Sequence, residues 1–338
     1  MRLPEFSYLE PESIAEACEL LESSDALPLA GGTDLLVSMK YKLQQPAGLV
    51  DIKRLSDLAL IQELPSGEIS LGALATLRAI ERSTIVNERI PLLATSARLV
   101  GTPQIRNKAT LGGNICLNTR CWYYNIPSFS RKTRELCNKR GGSVCHVVPG
   151  EKHGRCYSLF SADTVPALMA LDARVKISSA QDSRIIALRE LYTGEGVNPI
   201  ALHRGELVTE VLVTPPPSGA SGCYLKLRER GALDFPILGI ASVLIPGEDG
   251  LTCRRARLAL TGVASGPIEA TCAEAFLENK PLTPEVTNEA VNLVGEQIRV
   301  YSVNGISARY KRSMIAELTS KALSQGKPST NHAWDDRT

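Results

Sequence analysis

The chain has 338 residues, 43% of them hydrophobic, enough for two or three domains with real cores. A formal net charge of +2 excludes a globally basic nucleic-acid binder, and 5% aromatic residues leave little for a base-stacking platform. The first residues carry no apolar signal segment, and the longest apolar stretch, residues 235–245, contains Pro236 and is too short to cross a bilayer, so a soluble cytoplasmic protein with no nucleic-acid or membrane partner is expected.

The N-terminal part alternates strand and helix signals. Residues 13–21 carry apolar side chains at helical spacing shortly after Pro11. Residues 27–30 are a short apolar run ending on Gly31-Gly32, a strand-to-turn signature, and residues 34–41 read as a helix. Strands follow at 49–52 and 68–73, and helices at 77–82 and 92–99. This mixed order predicts α+β subdomains rather than one doubly wound sheet.

Residues 120–156 differ in character: apolar periodicity vanishes, and basic residues, Gly, Ser, Asn and Cys take over. Residues 164–171 resume an apolar helix, so the segment at 120–157 reads as an insertion looped out of a domain. A structureless loop of that length is unusual unless functional or tied down. From Gly205 onward, residues 206–213, 223–230, 238–245 and 253–260 read as four strands, and 267–277, 285–297 and 307–324 as helices, an α+β arrangement. Pro215-Pro216-Pro217 is the best boundary, dividing the chain into residues 1–216 and 220–325 ahead of a polar tail at 326–338.

Two Gly-Gly elements stand out. In the first, Pro28, Leu29 and Ala30 lead into Gly31 and Gly32, then Thr33, Asp34 and Leu35 open a helix. Glycines let backbone approach a phosphate closely, and a helix start offers free N–H groups. In the second, Gly101 and Gln104 precede Thr110, Gly112, Gly113 and Asn114, again Gly-Gly beside hydroxyl and amide side chains. Neither is the G-x-G-x-x-G dinucleotide fingerprint. Each alone could be a plain turn; together they point to a cofactor site.

Nine cysteines are many, but the odd count and missing export signal argue against a disulfide framework. Cys18, Cys116, Cys223, Cys253 and Cys272 are scattered and read as small buried hydrophobes. The other four run Cys121-x15-Cys137-x7-Cys145-x10-Cys156 inside the insertion. Four thiolates hold either tetrahedral zinc or a [4Fe–4S] cluster, and this spacing selects neither. A redox centre emerging directly from the second Gly-Gly loop could exchange electrons with a redox cofactor held there, which zinc could not. His146 and His153 are possible substitute ligands but read better as surface or neighbouring residues. The insertion also carries Arg120, Arg131, Lys132, Arg134, Lys139, Arg140, Lys152 and Arg155 against Glu135 and Glu151, either a solvated loop or a docking patch for an acidic carrier.

AGGTDLL at 30–36, LGALATLRAIERS at 71–83 and QIRNKATLGGNI at 104–115 in combination resemble the FAD-binding, or medium, subunit of the xanthine dehydrogenase and CO dehydrogenase family, over nearly the whole chain. The resemblance implies a two-part FAD-binding domain with a cysteine-rich insertion and a C-terminal α+β domain. It implies that residues 28–35 hold the pyrophosphate, that residues 110–114 hold phosphate and ribitol against the flavin, and that Asp163 and Lys226 are further cofactor contacts. Arg228, Arg230 and Asp234-Phe235 resemble the family's segment at the start of its last domain. The insertion resembles that of the β subunit of 4-hydroxybenzoyl-CoA reductase, where four cysteines carry a [4Fe–4S] cluster and the reaction runs reductively. That resemblance implies a molybdenum-cofactor large subunit, a [2Fe–2S] small subunit, a ferredoxin-like electron donor and a dimer of heterotrimers. The alternatives are an oxidative hydroxylase subunit with another acceptor, or a zinc-stapled assembly protein on a degenerate flavin fold.

Overall fold

The computed structural model describes residues 2–150, 153–303 and 305–325. The expected tail at 326–338, and the charges of Glu151 and Lys152, lie outside the described residues. Three sheets organise the rest. The first is parallel, in the spatial order Ser7–Leu9, Gly48–Asp51, Ala26–Leu29. Parallel neighbours need crossovers, supplied by helix Ile14–Ser23, whose N-cap Ser13 accepts from the Glu16 N–H, and by helix Leu35–Lys40. Gly31-Gly32 therefore lies just beyond the C-terminal end of a parallel strand, where such sheets open toward ligands.

The second sheet is antiparallel, in the order Ile61–Glu63, Ile69–Gly72, Leu207–Val213, Arg174–Ser178, Ser183–Ala187. This corrects the grouping of residues 206–213 with the C-terminal strands: Val213 pairs with Ile69 and Leu212 with Arg174. Nearly every residue of Leu207–Val213 is buried, so its pattern carries no mark of which sheet it joins. Arg174–Ser178 and Ser183–Ala187 were not anticipated. The latter is an edge strand whose first three residues are exposed, so it shows little apolar signal.

The third sheet is antiparallel, with Ser221–Leu227, Leu238–Pro246, Thr252–Thr261 and Ile268–Glu269 in sequence, and Lys280–Pro281 also pairing with Thr252–Thr261. Leu238, Ile240 and Leu244 pack with Ala290, Val294 and Ile315 of the helices Pro284–Gln297 and Ala308–Gln325. The alternate residues Ala241 and Val243 join Tyr224 and Ala259 in the core of the middle subdomain. Burial on both faces explains why this strand reads as an unbroken apolar run. The helix expected over 267–277 begins only at Thr271; Ile268–Glu269 is instead a strand too short to show a period.

The insertion is pinched at its neck, where Arg120 and Leu159 exchange both backbone hydrogen bonds at 2.6 and 2.7 Å. Within it are a short helix, Ser128–Lys132, and a 3-10 turn, Asn138–Arg140, where no regular structure was expected. No helix among the described residues is long and apolar enough to cross a membrane.

Candidate functional site

A cleft of about 560 Å³ runs between the two Gly-Gly loops and reaches Arg230, Asp234 and Phe235 of the last domain. Its size falls in the range of cofactor pockets. The loops meet backbone to backbone: an added Cβ on Gly31 would lie 1.8 Å from the Lys108 carbonyl oxygen. Gly32 has φ +68°, a left-handed conformation that glycine adopts without strain. The second Gly-Gly element is a short helix, Leu111–Ile115, rather than a turn, with the Thr110 hydroxyl accepting from the Gly113 N–H. Asn114 anchors it by accepting from the Thr164 hydroxyl at 2.6 Å.

Pro28, Ala30, Gly31, Gly32, Thr33, Asp34, Leu35, Gly101, Thr110, Gly112, Gly113, Asn114 and Asp163 all line the cleft. Three sequence-predicted residues do not. Leu29 packs into a small core with Met39 and Leu49, while its neighbours Pro28 and Ala30 line the cleft. Gln104 is exposed in the turn Pro103–Arg106, where its neighbour Ile105 faces the cleft. Lys226 lies behind Asp163, almost fully buried, and donates to Asp163 Oδ2, the Leu99 carbonyl and the Asp234 carbonyl, each at 2.9 Å. Its ammonium is thus held by protein oxygens behind the cleft wall and is not among the residues lining the cleft. Tyr224 donates to Asp163 Oδ1 at 2.8 Å. Burial pushes the Asp163 carboxyl up to about 6 against the opposing pull of Lys226 and Tyr224, and it pushes Lys226 down.

Sequence reasoning missed Asn118 and Arg120 as cleft residues. Arg120 is ion-paired with Asp34, and its guanidinium stacks 4.6 Å from the Phe235 ring centre, so one side chain joins the insertion, the first loop and the last domain. Asp34 spends its carboxylate on this pair and not on capping the helix behind it. Arg120 Nε is buried with no hydrogen-bond partner, and burial lowers the guanidinium pKa to about 10. The only sequence signal for this role was adjacency to Cys121.

Cys121, Cys137, Cys145 and Cys156 line a second, small cavity together with Tyr124, Lys139 and His146, whereas Cys116 lines the cleft. All nine cysteines are free thiols, and among the described residues no three His, Cys, Asp or Glu side chains come together on a single metal-ion position. Burial pushes the Cys121 thiol up to about 11, opposed by backbone N–H groups of Tyr123 and Tyr124. Cys137 is also pushed up by burial, with the Lys139 and Arg140 N–H groups opposing. His146 Nε2 lies 3.0 Å from the Glu135 carbonyl oxygen, and His153 is exposed. Gly196 is packed so closely that a Cβ on it would sit 2.8 Å from Cys156 Sγ, which fixes that cysteine against the main body.

The two cavities share one wall. Asn118 and Arg120 face the cleft, Cys121 and Lys139 face the cysteine pocket, and Lys139 Nζ donates to Asn118 Oδ1 at 2.8 Å. The expected basic docking patch is correspondingly smaller. Arg131 is buried, holding the Tyr41 and Lys42 carbonyls at 2.8 and 3.0 Å as well as that of Ile126. With Arg120 and Lys139 committed to the wall, Lys132, Arg134 and Arg155 are the exposed cations of the described insertion.

Residues 4–216 match the family described as the FAD binding domain in molybdopterin dehydrogenase. The chain belongs to that family. Residues 223–325 match the CO dehydrogenase flavoprotein C-terminal domain. Among curated proteins the chain is similar to the aldehyde oxidoreductase FAD-binding subunit of Escherichia coli (strain K12), at 32% identity over 80% of this chain and 86% of the relative. It is also similar to the carbon monoxide dehydrogenase medium chain of Afipia carboxidovorans, at 29% identity over 95% and 96% of the two chains. Of solved structures, a Cu,Mo-CO dehydrogenase in its cyanide-inactivated form superposes with a TM-score of 0.78 at 27% identity, covering 97% of this chain and 99% of that one. The expected α+β FAD-binding fold is thus the observed one, and the chain is an FAD-binding subunit of the molybdenum hydroxylase family.

Proposed function

We propose that this chain carries electrons within a heteromeric molybdenum enzyme, holding FAD in the cleft and a [4Fe–4S] cluster on Cys121, Cys137, Cys145 and Cys156. The observation that carries this reading is the meeting of the four insertion cysteines around one cavity whose wall is also the wall of the cleft. Zinc has no redox chemistry and would gain nothing from that position, whereas an iron–sulfur centre there is separated from the flavin site by little more than Asn118 and Arg120.

The residues fit FAD. The glycine loops offer close backbone approach, Thr33 and Asn114 add polar side chains, and nothing but Thr110 Oγ1 comes within 4 Å of a Cβ built on Gly113. Bound FAD supplies stepwise acceptance and release of electrons. The chain's own residues would bind and orient it: residues 28–35 would hold its phosphates and residues 110–114 phosphate and ribitol, while the Arg120–Asp34 pair and Phe235 line the same cleft. Asp163, held by Lys226 and Tyr224, presents a fixed polar edge to the cleft without requiring solvent.

Molybdenum chemistry belongs to partner subunits: a large subunit with the molybdenum cofactor and a small [2Fe–2S] subunit, arranged as a dimer of heterotrimers. The enzyme we favour is a 4-hydroxybenzoyl-CoA reductase, in which two electrons and two protons replace the ring hydroxyl and release water. A ferredoxin-like donor would dock near Lys132, Arg134 and Arg155. A second reading reverses the flow, with the chain serving an oxidative hydroxylase; the names of the similar proteins, dehydrogenases and an aldehyde oxidoreductase, favour it. Iron, acid-labile sulfide and FAD assays on anaerobically purified protein test the cofactor content. About four irons and four sulfides per chain beside one FAD are expected; zinc without sulfide overturns the cluster. Anaerobic turnover with 4-hydroxybenzoyl-CoA and reduced ferredoxin then separates the two directions of flow.

A further inference from the structure

We propose that Lys139 is the fixed counter-charge of the four-cysteine pocket: its ammonium balances the negative charge of the thiolate-bound group and sets how readily that group accepts an electron. The inference rests on the reading that the four cysteines hold an iron–sulfur cluster.

Lys139 Nζ donates to Asn118 Oδ1 at 2.8 Å and to the Gly196 carbonyl at 2.7 Å, and it also bonds the Thr119 hydroxyl. The Tyr124 ring centre lies 5.2 Å away. These partners solvate the ammonium with neutral oxygens and satisfy its donors, and no carboxylate among the described residues forms a salt bridge with it. An uncompensated cation enclosed by protein is costly, and chains retain one where an anion is to be met. The pocket beside it supplies that anion. Four thiolates gathered around one cavity repel one another, and Lys139 lines that same cavity. Ser158, whose hydroxyl shares the Gly196 carbonyl with the Lys139 ammonium, lies 3.2 Å from Cys156 Sγ, so the cation sits beside the cysteine pocket.

The placement is rigid. The Gly196 carbonyl that receives Lys139 also receives the Ser158 hydroxyl at 3.1 Å, and Gly196 has no room for a Cβ beside Cys156. One loop of the main body thus holds the cation and a cysteine in fixed relation. A cation at close range stabilises the reduced, more negative state of a bound cluster over the oxidised one, more strongly in a low dielectric than in water.

The test is an EPR-monitored redox titration of the anaerobically purified full chain, comparing wild type with Lys139→Met and Lys139→Arg, with iron, sulfide and FAD contents measured on each. Lys139→Met is expected to make one-electron reduction of the cluster at least tenfold less favourable, about 59 mV lower in midpoint. Lys139→Arg keeps the charge and is expected to restore the midpoint to within about threefold of wild type, near 30 mV. If Lys139→Met fails to keep a cluster, Lys139→Arg is expected to keep it. A cluster of unchanged midpoint in Lys139→Met, or loss of the cluster in both variants, overturns the counter-charge while leaving the cluster assignment standing on the wild type. A wild-type chain with neither iron nor sulfide overturns both.

Discussion

Gly31 and Lys108 touch through their backbones, so the two glycine loops are not independent: a methyl group at Gly31 has no space that Lys108 does not already occupy. Gly113 differs, since a Cβ there meets only Thr110 Oγ1, at 3.1 Å.

These two glycines should therefore fail differently. Gly31→Ala is expected to lower thermal stability by several degrees and to lose FAD as a consequence, because it wedges the loops apart. Gly113→Leu is expected to weaken FAD binding about tenfold or more with little change in unfolding temperature, because its side chain enters the cleft. Flavin fluorescence on dialysis and calorimetry measure both. Full FAD occupancy in Gly113→Leu would remove the second loop from the site.

Serine substitution at Cys121, Cys137, Cys145 or Cys156 is expected to lose or convert the cluster, whereas Cys116→Ser should leave iron and sulfide unchanged. Cys116 lines the other cavity, and burial pushes its thiol up to about 12, so it stays a thiol at neutral pH. Iron retention in Cys121→Ser together with loss in Cys116→Ser would show that the ligand set has been misassigned.

The buried Asp163–Lys226 pair makes a prediction about stability and pH. Lys226→Met leaves a buried carboxylate unpaired and is expected to cost about 3–5 kcal/mol. Asp163 holds its proton to about pH 6 when folded but only to 3.8 in its unperturbed state. Between those values the unfolded chain has released a proton that the folded chain keeps, so this group's contribution to stability falls as pH rises through that window and is flat above it. Subtracting urea-denaturation free energies of Asp163→Asn from those of wild type isolates the effect, at most about 1.4 kcal/mol per pH unit. A difference independent of pH from 4 to 7 would contradict it.

Charge reversal in the insertion should separate structure from docking. Lys132→Glu with Arg134→Glu is expected to slow reduction by ferredoxin and flatten its dependence on ionic strength, with FAD and iron unchanged. Arg131→Glu is expected to break the insertion itself, since it places a carboxylate against the Tyr41 and Lys42 carbonyls. Stopped-flow reduction across a salt series gives the first comparison. An unchanged salt slope in the double variant would assign these lysine and arginine side chains to solvation alone.

Much of the fold was legible wherever periodicity and caps agreed. Residues 13–21 announced the helix Ile14–Ser23, and Pro91 opens the helix Pro91–Arg98 that the apolar spacing of 92–99 predicts. What could not be read was partnership. Leu207–Val213 is plainly a strand, but nothing in it says that its neighbours are Ile69–Gly72 and Arg174–Ser178. The cleft was legible through its paired glycines, the residue required where only backbone will fit. Arg120 and Lys139 were not, because a charged residue in an irregular segment looks the same in sequence whether it faces water or seals a wall. Leu29 and Lys226 show the converse: adjacency to a functional position does not put a side chain in the cleft, since Leu29 packs into a core and Lys226 lies behind Asp163.

The pairing of Ile69 with Val213 has a consequence for biosynthesis. The middle sheet cannot close until the strand Leu207–Val213 has left the ribosome, and Leu207 and Val208 are part of the cleft lining. By then the whole cysteine segment has already been made. The four thiols of that segment are all synthesised before the nucleotide site exists. Chemistry at those thiols can thus begin on a partly folded chain, whereas flavin capture waits for the last antiparallel partner to arrive.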